Sequence, residues 1–369
     1  MDARDIPDFD AHEAVRLFEL DEVGAHAIIA VHSTYLGPAT GGCRVWPYPV
    51  PTQALTDALR LSRGMSYKNA LADLPLGGGK SVIIPPPGDF DRRALFEAFG
   101  RAVDSLGGQY ITAEDVGSRV ADMQIVATQT RYVGGLPPAD GLAGGDPSPW
   151  TALGVFLSIE AALDWRTGRP LNGAKVSVQG VGGVGADLCR RLVEAGAEVT
   201  LADVDARRAL AVAERFGANA VNSSDIHRVA ADVFAPCALG GGLNAATLGA
   251  IAAPIICGAA NNQLADVEIG EALNRRGKLY CPDYVVNAGG IIAVHSESLG
   301  LSVADVETKV AAIPGRLVDI LTRAERSALP PGVVADRIAR ERLGRGQAEA
   351  SERAINARAP SLAVSVSTH

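Results

Sequence analysis

The sequence predicts an α/β chain of two domains, an N-terminal α/β domain followed by a doubly wound one. Three observations carry this reading. With 369 residues and 47% hydrophobic content, the chain can bury two cores, which predicts two domains with a cleft between them. A Gly- and Pro-rich stretch, GGLPPADGLAGGDPSP over 134–149, breaks the periodic pattern and marks a hinge. Beyond it, short apolar runs alternate with helical ones: AKVSVQG, VGADLCRRLVEAG, EVTLADV, ARRALAVAERFG, ADVFAPC and APIICGAA. Such alternation is what a parallel sheet with helices on both faces requires.

Taken in order, residues 11–19 read as a short helix. AHAIIAV at 25–31, apolar and partly β-branched, reads as a buried strand. A second strand is expected near Gly42–Trp46. TQALTDALRLSRG at 52–64 places Ala54, Leu55, Ala58, Leu59 and Leu61 at helical spacing, with Gly64 available to end the helix. After a loop-rich stretch, SVII forms a strand that three prolines stop. Residues 91–105 read as a helix and YITAEDVG as a strand running into a loop. Helices follow at 151–164, 304–324 and 333–347. The expected division is 1–135 for the first domain, 136–150 for the hinge and 151–330 for the doubly wound domain. A C-terminal helix within 331–355 is free to return to the first domain, and 356–369 is expected to be a disordered tail.

The formal charge of -8, with no basic run, argues against nucleic acid or an anionic membrane surface as partner. Five scattered cysteines without CxxC suggest buried thiols rather than disulfides or a zinc ribbon. Six histidines without HxH or HExxH spacing point to no metal site. The acidic N-terminus MDARDIPDFDAHEAV has no signal-like apolar core, and no run of about 20 uncharged apolar residues occurs. A soluble, cytoplasmic protein acting on a small molecule is expected.

VSVQGVGGVGADLCRRL contains Gly180-x-Gly182-x-x-Gly185 between an expected strand and an expected helix. In that context Gly180 permits a tight turn, Gly182 lets backbone approach a pyrophosphate, and Gly185 allows close packing of helix on strand. Gly183 and Val184 open the helix, whose unpaired N–H groups suit phosphate. Asp203 ends the next strand 18 residues after Gly185, followed by Val204, where a carboxylate can accept both ribose hydroxyls. It would repel a 2'-phosphate, which favours NAD over NADP, although Arg207 and Arg208 lie close by. The competing reading is a purely structural glycine turn. With the dinucleotide reading, the second domain becomes a Rossmann-type dinucleotide-binding domain.

Two lysines stand apart from those of solvated helix faces. Lys68 lies in GMSYKNA, and Lys80, 12 residues on, separates three glycines from an apolar strand. A desolvated lysine can serve as a general base. GGGKS also invites a phosphate-loop reading, but that pattern needs glycine where Leu74 stands. Asp115, at the end of the YITAE strand, is a third candidate, with a turn or helix cap as the competing role.

The segments GPATGGCRVWPY, RGMSYKNALADLPLGGGKSVI, YITAEDVG, GDPSPWTALGV, VFAPCALGG, CGAANNQLA and YVVNAGGII resemble the glutamate/leucine/phenylalanine/valine dehydrogenase superfamily, nearest to leucine dehydrogenase. The resemblance runs from about residue 25 to 300. It implies a substrate-binding N-terminal domain facing the dinucleotide domain across a closing cleft, and reversible oxidative deamination of an L-amino acid with NAD. It implies that Lys68 pairs with the substrate carboxylate, Lys80 is the catalytic base and Asp115 moves protons to and from the amino group. Gly41, Gly42 and Met65 would then line the substrate, while Asn261 and Asn262 help fix nicotinamide and substrate. Ser148, Thr151, Cys237 and Ala238 would fall near the cofactor.

By the same resemblance the side-chain pocket is Thr40, Ala113, Ile291 and Val294. Branched Ile291 and Val294 suggest a short aliphatic pocket, hence leucine or valine, with phenylalanine the alternative; one methylene there is worth only ~1–3 kcal/mol. Thr40 departs from the leucine common at that place. No side chain for a γ-carboxylate is evident. Two other classes compete: an NAD-binding regulator without chemistry, and a 2-hydroxy-acid dehydrogenase, whose histidine–arginine pair is not recognisable. The family also implies a homo-oligomer of unspecified size.

Overall fold

The computed structural model describes residues 3–137, 146–238, 240–296 and 299–344. The chain divides into two units, one of Met1–Asp140 with Arg337–His369 and one of Gly141–Asp336. Residues 138–145 of the expected hinge, 345–355 of the expected C-terminal helix and the whole 356–369 tail lie outside the described residues.

The first unit is built on β1 (Ala14–Leu20), β2 (Ala25–Ser33), β3 (Ala39–Val45), β4 (Gly77–Ile84) and β5 (Tyr110–Glu114), in the spatial order β1-β2-β4-β3-β5. β2 runs antiparallel to β1 and β4, whereas β3 is parallel to both β4 and β5. Side chains of a strand alternate between faces, and β2 uses both. Ile28 and Ala30 meet Ala54 and Ala58 of α1 (Pro51–Leu71). Ala27, Ile29 and Val31 join the larger core formed with Leu95, Phe96 and Phe99 of α2 (Arg92–Asp104) and Met123 and Val126 of α3 (Val120–Ala127). Each large apolar side chain so buried contributes about 1.5–3 kcal/mol.

Three local expectations are corrected here. Residues 11–19 do not form a helix: Ala14–Leu20 is a strand paired residue for residue with Leu20↔Ala25 through Ala14↔Val31. The helix-forming Ala, Leu, Glu and Arg of this segment are overridden because an edge strand satisfies its backbone on β2, closed by Gly24 in left-handed conformation (φ 65). Gly64 does not end α1, which continues to Leu71. An isolated helical glycine costs roughly 1 kcal/mol, less than the packing of α1 over β2 and β4 returns. Termination comes instead at Asp73, whose φ is 54. The third correction concerns the GGG triplet, which is not a loop but the start of β4. A Cβ on Gly78 would lie 2.1 Å from the Ser66 nitrogen of α1, and one on Gly79 2.6 Å from the Tyr110 ring. These glycines let a helix and an aromatic ring approach the strand from opposite faces. Helix α3 was not anticipated.

The second unit opens with α4 (Ser148–Thr167) and continues through β6 (Lys175–Gln179), α5 (Gly183–Glu194), β7 (Glu198–Ala202), α6 (Ala206–Phe216), β8 (Asn219–Ala220), β9 (Val233–Pro236), β10 (Ile255–Ile256), α7 (Val267–Arg275) and β11 (Leu279–Tyr280). Its sheet is parallel throughout, in the order β11-β10-β9-β6-β7-β8. The strand order reverses beside β6, the doubly wound arrangement that leaves a crevice outside the carboxyl ends of the strands. Then follow α8 (Asp283–Val286), α9 (Gly289–Val294), α10 (Val303–Ala311), α11 (Ile313–Ser327) and α12 (Pro331–Arg342). The helix expected over 304–324 is two, because Pro314 at the start of α11 lacks the N–H that a continuous helix needs. α12 crosses into the first unit at Arg337, where Arg340 Nη2 donates to Asp10 Oδ2 at 2.9 Å.

Candidate active site

In the first unit, β3, β4 and β5 bring Gly42, Lys80 and Asp115 together. Lys80 faces the α1 side of the sheet, as Gly78 does two residues earlier, and is only 4% exposed. Its Nζ lies 2.8 Å from Asp115 Oδ2. The same oxygen accepts from Arg44 Nε at 3.1 Å. Asp115 Oδ1 accepts no hydrogen bond from any described residue. Ser118 fixes the backbone here: its Oγ accepts from the Asp115 N–H at 2.9 Å and donates to the Cys43 carbonyl at 2.7 Å. Burial pushes the Asp115 carboxyl up, but the Lys80 and Arg44 cations outweigh it and hold the group below its ordinary value.

Glycines make the approach possible. A Cβ on Gly42 would lie 2.7 Å from Asp115 Cβ, and one on Gly41 1.8 Å from the Gly79 carbonyl oxygen and 3.4 Å from Met65 Cγ. Met65 and Lys68 are three apart on α1 and share a face, both half-buried. Ala113, 6% exposed, pairs with Gly42 across β3 and β5. Thr40 is fully buried, and its hydroxyl accepts from Asn69 Nδ2 at 3.1 Å. Thus Thr40, Gly41, Gly42, Met65, Lys80, Ala113 and Asp115 gather in one region of the first unit.

The rest of the candidate set lies in the second unit. Gly180 adopts φ +90, and a Cβ there would meet Ala238 Cα at 2.9 Å; one on Gly185 would lie 2.0 Å from the Gly180 carbonyl oxygen. A Cβ on Gly182 would find no atom within 4 Å. α5 begins at Gly183 without a side-chain cap, the kind of helix start whose first N–H groups suit an anion. Asp203 Oδ2 accepts from the Val181 N–H at 2.8 Å and its Oδ1 from the Asp205 N–H at 2.9 Å, while Arg208 Nη1 stands 3.6 Å from Oδ1. Val204, beside it, is 93% exposed. Ser148 lies against Gly183, where a Cβ would come within 2.8 Å of its Oγ, and Thr151 lies against Gly290 at 2.5 Å by the same measure. The two glycines of NAGG therefore seat α9, with Ile291 and Val294, on the start of α4.

Cys237 follows β9, its N–H donating to the Gln179 carbonyl at 2.7 Å. Asn262 is left-handed (φ 51), and Asn261 Oδ1 accepts from Asn287 Nδ2 at 2.8 Å. Among the described residues no group of His, Cys, Asp or Glu could hold a metal ion, and no helix is long and apolar enough to cross a membrane.

Sequence reasoning missed Arg44, Asp57, Tyr48 and Asn287. Arg44 had a readable signal, a lone guanidinium in the apolar strand GGCRV. Its Nη1 donates to Asp57 Oδ2 at 3.0 Å, and Tyr48 Oη donates to the same oxygen at 2.6 Å.

The first α/β unit thus carries a buried lysine–aspartate pair, and the second carries a glycine turn between a strand of its parallel sheet and the helix that follows. Comparison with known proteins gives the family of the chain. Residues 16–132 match the family described as Glu/Leu/Phe/Val dehydrogenase, dimerisation domain, and residues 201–324 match Glutamate/Leucine/Phenylalanine/Valine dehydrogenase. Leucine dehydrogenase of Geobacillus stearothermophilus is 46% identical over 333 residues, covering 90% of each chain. Valine dehydrogenase of Streptomyces virginiae is 45% identical over 336 residues, covering 90% of this chain and 94% of its own. The solved structure of L-tryptophan dehydrogenase from Nostoc punctiforme superposes with a TM-score of 0.78 at 41% identity, covering 92% of this chain and 97% of its own. The chain belongs to the Glu/Leu/Phe/Val dehydrogenase family.

Proposed function

We propose that the protein catalyses the reversible NAD-dependent oxidative deamination of a branched-chain L-amino acid, leucine or valine, to the 2-oxo acid and ammonia. The observation that carries this reading is the buried Lys80–Asp115 pair with Asp115 Oδ1 left open, in a chain 45–46% identical to leucine and valine dehydrogenases. Bound NAD supplies the acceptor for the hydride that leaves Cα. The glycine turn fits such a cofactor, since Gly182 borders open space at an uncapped helix N-terminus. Gly180, Gly182, Gly183, Val184 and Gly185 would hold the pyrophosphate, Asp203 and Val204 the ribose. Ser148, Thr151, Cys237, Ala238 and Asn261 would hold the nicotinamide end.

On the substrate side, the Lys68 ammonium pairs with the carboxylate and orients Cα. Asp115 Oδ1 takes a proton from the amino group as the C–N double bond forms. Lys80, as the neutral amine, removes a proton from the water that adds to Cα and passes it to nitrogen; as ammonia leaves, Lys80 takes the proton of the new hydroxyl and the carbonyl forms. Gly41, Gly42 and Met65 admit the substrate backbone, and Asn262 helps fix it. Thr40, Ala113, Ile291 and Val294 bound the side chain. Likeness to a tryptophan dehydrogenase favours an aromatic substrate as the second reading. We place the enzyme in the cytoplasm as a homo-oligomer, in keeping with the dimerisation domain named for its family.

The deciding measurement is an initial-rate panel at alkaline pH with NAD or NADP over leucine, valine, isoleucine, phenylalanine, tryptophan and glutamate. NADH formation on leucine and valine is expected. Rates confined to the aromatic acids would overturn the aliphatic pocket, and silence on every acid would leave a dinucleotide-binding regulator.

A further inference from the structure

Arg44 is an arginine on β3, in register with Val82 of β4, on the face covered by α1. It is held by two carboxylates from different elements, through Nε to Asp115 Oδ2 at 3.1 Å and through Nη1 to Asp57 Oδ2 at 3.0 Å. Asp57 is in turn held by Tyr48 Oη at 2.6 Å. The result is a continuous chain, Tyr48–Asp57–Arg44–Asp115–Lys80, in which carboxylates and cations alternate. Both cations that reach Asp115 use the same oxygen. We infer that Arg44 is a positioning residue for deamination: by loading Oδ2 together with Lys80, it leaves Oδ1 as the oxygen that meets the substrate's amino group. The inference rests on the amino-acid dehydrogenase reading above.

A second consequence follows from charge. Arg44 places a cation beside the ammonium of Lys80 and shares the carboxylate oxygen that pairs with it, so removing Arg44 would leave Asp115 Oδ2 to Lys80 alone and tighten that ion pair. The groups facing this cluster are few. Lys80 comes from β4, Arg44 from β3, Asp57 from α1 and Tyr48 from the segment between β3 and α1, while Cys43 of β3 and Tyr110 of β5 lie across the sheet on its other face. Burial pushes the Cys43 thiol up to about 12 and raises the Tyr110 phenol, and burial with Asp57 raises that of Tyr48. Cys43, Tyr110 and Tyr48 therefore stay uncharged between neutrality and pH 11.

The test compares the full-length wild type with Arg44→Leu, Arg44→Lys and Asp57→Asn, measuring kcat and KM for leucine from pH 7 to 11 together with thermal unfolding. Arg44→Leu should lower kcat on the order of 100-fold, with KM changed less than about threefold. Its alkaline rise in kcat/KM should move up by about one pH unit. Arg44→Lys, which keeps the charge but cannot span both carboxylates, should restore the position of that rise and part of kcat. Asp57→Asn removes a negative charge and should move the rise the other way, by less, because Asp57 is 36% exposed.

A strand clamp without electrostatic function would lower the unfolding midpoint and the active fraction yet leave the pH profile in place; that result overturns the inference. Should Arg44→Leu fail to fold, the opposite movement in Asp57→Asn and the retained profile of Arg44→Lys decide it. Wild-type turnover with unmoved profiles removes only the role of Arg44, whereas a wild type silent on every amino acid removes the dehydrogenase reading as well.

Discussion

The two candidate regions are built by opposite means. Around Asp115 the first unit buries charged side chains against one another, with Lys80 Nζ at 2.8 Å and Arg44 Nε at 3.1 Å from one carboxylate oxygen. Around Gly180 to Gly185 the second unit removes side chains: Gly182 borders open space and α5 starts with no side-chain cap. Charge in a low-dielectric setting suits proton transfer, because a small displacement changes a large energy. Backbone donors suit a fixed anion, which needs shape and partial charge but no titration. A substitution should therefore act on turnover in the first region and on cofactor affinity or folding in the second.

The largest expected effect sets the regions apart directly. Lys80→Ala should lower kcat by about 1,000-fold or more, while NAD titrated against the variant binds as to wild type. Loss of NAD binding in that variant would show that the two regions are not separable.

Within the second region the glycines should split. In Gly185→Ala the new Cβ meets the Gly180 carbonyl oxygen at 2.0 Å, so the unfolding free energy should fall by about 1–3 kcal/mol. Gly182→Ala finds no atom within 4 Å, so it should unfold like wild type and weaken NAD instead. Equal loss of stability in both would mean that the turn is structural only.

Acid should also separate the regions. Buried His295 in the second unit has its imidazole lowered from 6.5 to about 4 by burial. The unfolded chain takes up a proton below pH 6.5 that the folded one refuses until about pH 4, so stability is full above that window and falls across it, by about 3 kcal/mol. Asp115 is lowered too, so its contribution is present above the ordinary carboxylate pKa near 3.9 and is lost only in stronger acid. Unfolding midpoints followed from pH 7 to 4 should therefore fall in wild type and flatten in His295→Gln. An unchanged slope would show that other groups set it.

The smallest expected effect concerns cofactor choice. Asp203→Ala removes the carboxylate that accepts from the Val181 and Asp205 N–H groups, and should weaken NAD more than NADP by about tenfold. An unchanged ratio of the two affinities would assign ribose recognition elsewhere.

Much of this was legible in sequence wherever local pattern and final environment agree. The β-branched run of β4, the alternation of the second unit and the glycine spacing all recur in the structure, because periodicity records burial and glycine records close approach. Lys80 and Asp115 could be named from their place beside glycines and at a strand end, but their 2.8 Å separation could not, since β3 must lie between β4 and β5 for them to meet. Tertiary pairing alone made Ala14–Leu20 a strand and carried α1 past Gly64, because long-range hydrogen bonds and packing outweigh local propensities of about 1 kcal/mol. Only the folded sheet could supply the Tyr48–Asp57–Arg44–Asp115–Lys80 chain. Its members come from β3, the segment after it, α1, β4 and the end of β5, and an ion pair is set by distance in space, on which separation along the sequence is silent.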